Sequence, residues 1–174
     1  MDPEAALKYS VQCFDHRNAE VIEGFLVLSE PHWDHESVLD QIRDQLRVRV
    51  RALECMMGAG DLDLPGSLNW FVPDLAVVPR ALAKGAGALL PEQTLLVVEV
   101  TSDSNAQTDR VTKRKRYGQY RAPLYLLVDR RQQVWTLFSD PHDLGYAKQD
   151  GPHVFGTPLA LPAPFDLEVG TSGF

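Results

Sequence analysis

The sequence predicts an α/β or α+β fold in which a mixed central β-sheet has helices packed against it. Three observations lead there. Short β-branched and aliphatic runs recur along the chain, one long segment has the apolar spacing of a helix, and a second helix-like segment lies between two of the strongest β-like runs. At 174 residues and 19.4 kDa, with 44% hydrophobic and 24% charged residues, the chain fits one domain over residues 1–174 with one continuous core.

The first predicted elements are the strands of an N-terminal β-hairpin, AEVIEG and FLVLSE, with Gly24 at the turn and Pro31 as the stop. In HESVLDQIRDQLRVRV, Val38, Ile42, Leu46 and Val50 recur at i, i+4 and i+8, so one helical face is apolar, and Asp34 is placed to cap it. MMGAGDLDLPGS has loop signals around a short strand. NWFVPDLAVVPR and QTLLVVEVTS are β-like runs separated by AKGAGALLPE. After the turn-forming SDSNAQT, the basic segment DRVTKRKRYGQYRA reads as a helix that starts near Thr108 or Asp109 and ends before Pro123, with Gly118 as its weak point. LYLLVD and QQVWTLFS follow as strands joined at Arg130 and Arg131. A Pro- and Gly-rich tail closes with an edge segment near FDLEV.

The formal charge of −7 argues against a protein that coats nucleic acid or anionic membrane non-specifically, because its long-range field repels both. The positive charge is local: eight of the 17 Lys and Arg residues lie from Arg110 to Arg131. Cys13 and Cys55 have neither CxxC spacing nor the density of a secreted disulfide scaffold, and no apolar leader or membrane-length run occurs. A cytoplasmic protein with no membrane association is expected. An apolar tail and uncovered edge strands are compatible with a homodimer.

The chemistry concentrates at LVVEVTSDS. Glu99 stands in a run that otherwise suits a strand buried on both faces, and burying a carboxylate costs several kcal/mol unless a cation, a metal or donors meet it. Strand alternation puts Glu99 on the face of Val97 and Thr101, with Leu96, Val98 and Val100 opposite. Asp74, in FVPDLAVVP, is the other carboxylate at a β-like run. If the two strands pair, the carboxylates converge at a strand end, a hard-oxygen site of the kind that holds Mg²⁺. On the basic helix, Tyr117 and Tyr120 lie about 40° and 20° to either side of Lys113, whereas Arg114 and Lys115 point roughly 100° and 200° away. Lys113 therefore shares the tyrosine face and can reach Glu99 from above the sheet. Arg110 and Arg116 flank that face.

FVPDLAVVP, LLVVEVTSDSN, TDRVTKRKRYGQYRAPLYLLVD, LPAPFDLEV and the early EVIEGFLVLSEPHWDHESV together resemble the Uma-type restriction-endonuclease family, a branch of the PD-(D/E)XK nuclease superfamily. The resemblance implies a restriction-endonuclease-like core and hydrolysis of DNA phosphodiester bonds dependent on Mg²⁺ or Mn²⁺. It implies Asp74, Glu99 and the Val100 backbone carbonyl as metal ligands, with Asp74, Glu99 and Lys113 as the catalytic set. In the superfamily's simplest motif the lysine comes two residues after the glutamate, where this chain has Thr101. Related branches move it to the following helix, the role that Lys113 matches. Arg114, Lys115, Arg116 and Arg121 are candidates for phosphate contacts, and Glu23 and His35 occupy resembling positions near the expected site.

Each feature also has a plainer reading. Pro-Asp is turn chemistry, a strand glutamate facing a helix lysine is a structural ion pair, and a basic helix is a solvated face. His32, Asp34 and His35 make a polar helix start rather than a metal loop. Trp33, Trp70 and Trp135 are expected to pack in the core rather than stack on bases, and Ser102 to Ser104 form a turn rather than a nucleophile site. The chain is thus expected to be a DNA endonuclease, or else a non-catalytic module of the same fold that binds nucleic acid or protein.

Overall fold

The structure is a computed structural model and describes residues 2–13, 19–28, 33–101 and 106–174. The expected turn at Ser102–Ser104, the Pro31 stop and His32 lie outside the described residues. The chain opens with helix α1 (Pro3–Gln12) and a hairpin of β1 (Ala19–Ile22) and β2 (Phe25–Leu28), turned at Glu23 (φ 50°) and Gly24 (φ 86°). Two consecutive left-handed residues suit the right-handed twist of such a hairpin, and glycine takes the second at no steric cost.

Helix α2 (Trp33–Ala52) buries Val38, Leu39, Ile42, Leu46 and Val50, the face its periodicity predicts. Two expectations fail at its start. Asp34 falls within the first turn rather than capping it and pairs with Arg130 at 3.3 Å. Trp33 is 92% exposed, whereas Trp70 and Trp135 are buried as expected. A residue at the mouth of a helix can project past its apolar stripe, so aromatic character alone does not bury it.

Beyond α2 come β3 (Cys55–Gly58), β4 (Leu62–Leu64), β5 (Asn69–Phe71) and β6 (Leu75–Pro79), then the short helix α3 (Arg80–Ala83). The run NWFVPDLAVVPR is therefore two strands in two sheets. Pro73, which has no N–H to donate, lies at the break. The chain continues with β7 (Leu96–Val100), a helix over 106–119 whose Thr108–Lys113 turns are π-helical and whose last stretch is α4 (Arg114–Gln119), and β8 (Leu124–Asp129). The tail is more ordered than its Pro and Gly content suggests. β9 (Val134–His142) and β10 (Gly145–Val154) form a long antiparallel hairpin, and β11 (Leu159–Leu161) pairs with β12 (Leu167–Val169). Pro152 sits on the edge strand, where a missing donor costs no ladder bond.

The main sheet has the order β10-β9-β8-β7-β6-β3 and is antiparallel except for β7 and β8. The parallel pair needs a crossover, and the helix over 106–119 provides it. Leu96, Val98 and Val100 face α2 with Leu126, Val128 and the tail residues Leu161 and Phe165. Val97 faces the other way, into a core with Tyr117, Tyr125 and Phe71. The smaller sheet, β2-β1-β5-β4, adds Leu62, Leu64 and Phe71 to this second core. Glu99 opens onto the seam between the two sheets and the crossover helix. Among the described residues no helix is long and apolar enough to cross a membrane.

Candidate active site

Asp74 immediately precedes β6, and the antiparallel register pairs Leu75 with Val98, so one further step sets Asp74 across from Glu99. Where the backbone ladder ends, the Asp74 side chain replaces it: the Val100 N–H donates to Asp74 Oδ2 at 2.7 Å. His35, in the first turn of α2, places Nε2 2.9 Å from the same oxygen. Burial alone would push the His35 imidazole down. The Asp74 carboxylate outweighs it, helped by Glu36 and the Val100 backbone, and the pKa is raised.

On the other face, the crossover helix presents Asp109, Lys113 and Tyr117 at i, i+4 and i+8, all buried. Lys113 Nζ is 3.1 Å from Glu99 Oε1, 2.9 Å from Glu20 Oε1 and 3.7 Å from Asp109 Oδ1. The Tyr117 hydroxyl donates to Glu99 Oε1 at 2.8 Å, and Glu20 also accepts from the Val72 N–H at 2.8 Å. Three carboxylates, from Glu20, Glu99 and Asp109, thus surround one ammonium, while Asp74 is held nearby by His35 and the Val100 N–H.

Burial lifts the Glu99 carboxyl well above the carboxylate range. Lys113 opposes the shift, while Asp74, Asp109 and Glu20 reinforce it. Asp109 is pushed up to about 7, chiefly by burial, again against the pull of Lys113. Burial would lower Lys113, but the carboxylates, led by Glu20 and Glu99, outweigh it and hold the ammonium charged.

The donor set suits a hard divalent cation. Glu99 Oε2 and both carboxylate oxygens of Asp109 are buried without a hydrogen-bond partner, and one lysine cannot neutralise the three acids around it. Among the described residues no three acidic, histidine or cysteine side chains converge into a ready-made metal cage. Carboxylate oxygens of this kind are the donors that hard divalent cations take.

Asp74, Glu99 and Lys113 come together in the structure, with the Val100 backbone beside Asp74 and with His35. Glu23 does not join them. It lies in the hairpin turn, held by a bidentate pair to Arg116 (2.6 and 2.7 Å) and by Asn69 Nδ2 at 3.1 Å, and Arg116 keeps its carboxyl below the usual range. Arg116 is thereby engaged within the protein, as is Arg121, which donates to the Pro141 carbonyl at 2.8 Å and pairs with Asp143. Arg110 turns to Asp129 at 2.6 Å. Arg114 stacks over Phe138, and Lys115 is exposed.

Sequence reasoning passed over two acids. Glu20 is hidden in a hairpin strand with no local mark of a site. Asp109, assigned to the helix start, is four residues before Lys113, a spacing that could have placed it on the lysine's face.

The sequence matches the Uma2 family, described as "Putative restriction endonuclease", over residues 8–170, and the chain belongs to that family. Its fold is similar to a crystal structure described as "a putative nuclease belonging to DUF820" from Anabaena variabilis ATCC 29413. The TM-score is 0.67 at 15% sequence identity, over 85% of this chain and 83% of that one. No curated protein matches the chain.

Proposed function

We propose that this protein is a nuclease that hydrolyses DNA phosphodiester bonds with the help of Mg²⁺ or Mn²⁺. One observation carries the reading: a single buried lysine stands among three carboxylates where β7 ends beside the start of β6, with Asp74 across from Glu99, and one oxygen of Glu99 is left without a partner. Membership in a family described as restriction endonucleases supports the same chemistry.

Asp74, Glu99 and the Val100 carbonyl would hold the ion. When bound, it supplies Lewis-acid stabilisation of the phosphate and a more acidic water. The protein's own groups prepare that site. Lys113 opposes protonation of Glu99, Tyr117 fixes the Glu99 carboxylate in one orientation, and the Val100 N–H and His35 do the same for Asp74. Titration calorimetry with Mn²⁺, paired with nicking of plasmid DNA, tests the reading. Binding and cleavage are expected in the parent protein and in neither Asp74→Asn nor Glu99→Gln. A parent that neither binds the ion nor cuts any DNA would overturn it.

A second reading has its own support. Lys113 is 2% exposed and already paired with Glu20 and Glu99, the geometry of a structural ion network in a non-catalytic binding module. The stability of Glu99→Gln without metal separates the two: a metal centre gains or keeps stability, whereas a structural pair loses it.

A further inference from the structure

On the outer side of the crossover helix, away from Lys113, a pocket of about 260 Å³ opens between that helix and the β9–β10 hairpin. It is smaller than the roughly 300–1,000 Å³ of sites that enclose a drug-sized ligand, so it suits part of a polymer better than a whole metabolite. Arg114 and Lys115 line it, and among the described residues neither forms an ion pair and no acid lines the pocket. Their neighbours Arg116 and Arg121 are both neutralised by carboxylates. In a chain of net charge −7, two unpaired cations side by side mark a local site for an anion.

The rest of the wall is apolar. Arg114 is held over the Phe138 ring at 5.4 Å from its centroid, Tyr146 lines the pocket beside it, and Leu144 (81% exposed) and Val111 (46% exposed) form an uncovered ledge. A phosphate needs only the cations. The ledge and the guanidinium stacked on an aromatic ring fit a partner with an apolar planar face as well.

The pocket is preformed. Gly118 and Gly145 pack helix backbone against hairpin backbone so tightly that a Cβ on Gly118 would overlap the Gly145 carbonyl carbon. Gln119 Nε2 donates to the Asp143 carbonyl at 3.0 Å and Arg121 to that of Pro141, pinning the hairpin end to the helix.

We propose that this pocket binds an unpaired nucleotide of a nucleic-acid strand, with Arg114 and Lys115 on its phosphate and the base against the Leu144 and Arg114 surface. A duplex keeps its bases inside and would leave the ledge unused. This deepens the nuclease reading and rests on it for the presence of a nucleic-acid strand at this helix.

Fluorescence anisotropy in EDTA tests it, with a labelled single strand longer than about 16 nucleotides, the upper site size of single-strand-binding folds, and the matching duplex. The parent is expected to prefer the single strand. Lys115→Ala and Leu144→Ser change exposed side chains and leave the fold intact, and each should weaken single-strand binding about 5-fold or more. Lys115→Ala should also lower the salt slope by about 0.7, the value for one phosphate contact on a single strand.

Three results would overturn the proposal: equal affinity in parent and variants, a Leu144→Ser variant that binds like the parent, or displacement of the strand by polyglutamate of equal charge. Binding is read without metal and cleavage separately with Mn²⁺, so absent cleavage in Mn²⁺ with these binding losses intact would sink the nuclease reading alone. Intact cleavage with no loss of binding would sink this inference alone.

Discussion

Lys113 Nζ lies closer to Glu20 Oε1, at 2.9 Å, than to Glu99 Oε1, at 3.1 Å. The ammonium thus ties the N-terminal hairpin to the main sheet as well as serving the strand carboxylate. Replacing Lys113 by Met leaves Glu20, Glu99 and Asp109 buried without their cation. A loss of about 3–5 kcal/mol is expected in urea denaturation near pH 8, partly recovered by Mn²⁺. A loss under about 1 kcal/mol would mean that the acids are already neutralised by shared protons.

Glu99→Gln removes a charge that burial already disfavours while keeping an acceptor for Tyr117. If the site is a metal centre, the metal-free variant should melt at or above the parent's temperature, because repulsion from Asp74, Asp109 and Glu20 is relieved, and the parent's stabilisation by Mn²⁺ should vanish. If Glu99 and Lys113 are only a structural pair, the variant should lose about 3–5 kcal/mol. Differential scanning calorimetry with and without the ion decides between them.

Asp109 sets a pH dependence. Its carboxyl, ordinarily near 3.8, is pushed up to about 7 in the fold, so the folded state holds a proton that the unfolded chain has released across that window. Its contribution to stability is therefore full below about pH 4 and is lost as pH rises towards 7. Asp109→Asn should flatten the fall in urea midpoint over this range. An unchanged pH profile would contradict the raised carboxyl.

Gly118→Ala tests the close approach of helix and hairpin. Alanine is the better helix former by about 1 kcal/mol, yet its Cβ would meet the Gly145 backbone, which cannot move aside as a side chain can. Overpacking should win, with a net loss of about 1–3 kcal/mol in chemical denaturation. A more stable variant would show that the two backbones can separate freely.

The local elements were legible where one period dominates. Val38, Ile42, Leu46 and Val50 mark the buried face of α2, and alternation assigned Val97 and Val98 to opposite cores. The tail was not. In β10 the pattern is mostly exposed and interrupted by Gly151 and Pro152, so it has no apolar stripe to betray a strand whose place depends on hydrogen bonds to β9. Trp33 fails for a related reason, since apolar character gives a preference for burial but not a neighbour to be buried against.

At the site, the sequence by itself determined that Asp74 and Glu99 stand on strands able to pair, and that Lys113 shares a helical face with Tyr117. Both follow from fixed backbone periods, which act within a few residues. Only the tertiary structure decided that Glu20 meets the same ammonium, that Asp109 turns inward, that His35 holds Asp74, and that Glu23 is spent on Arg116. Such partners are chosen by how sheets and helices close over one another. Closure brings together residues far apart in the chain, where no local repeat can encode which acid faces which base.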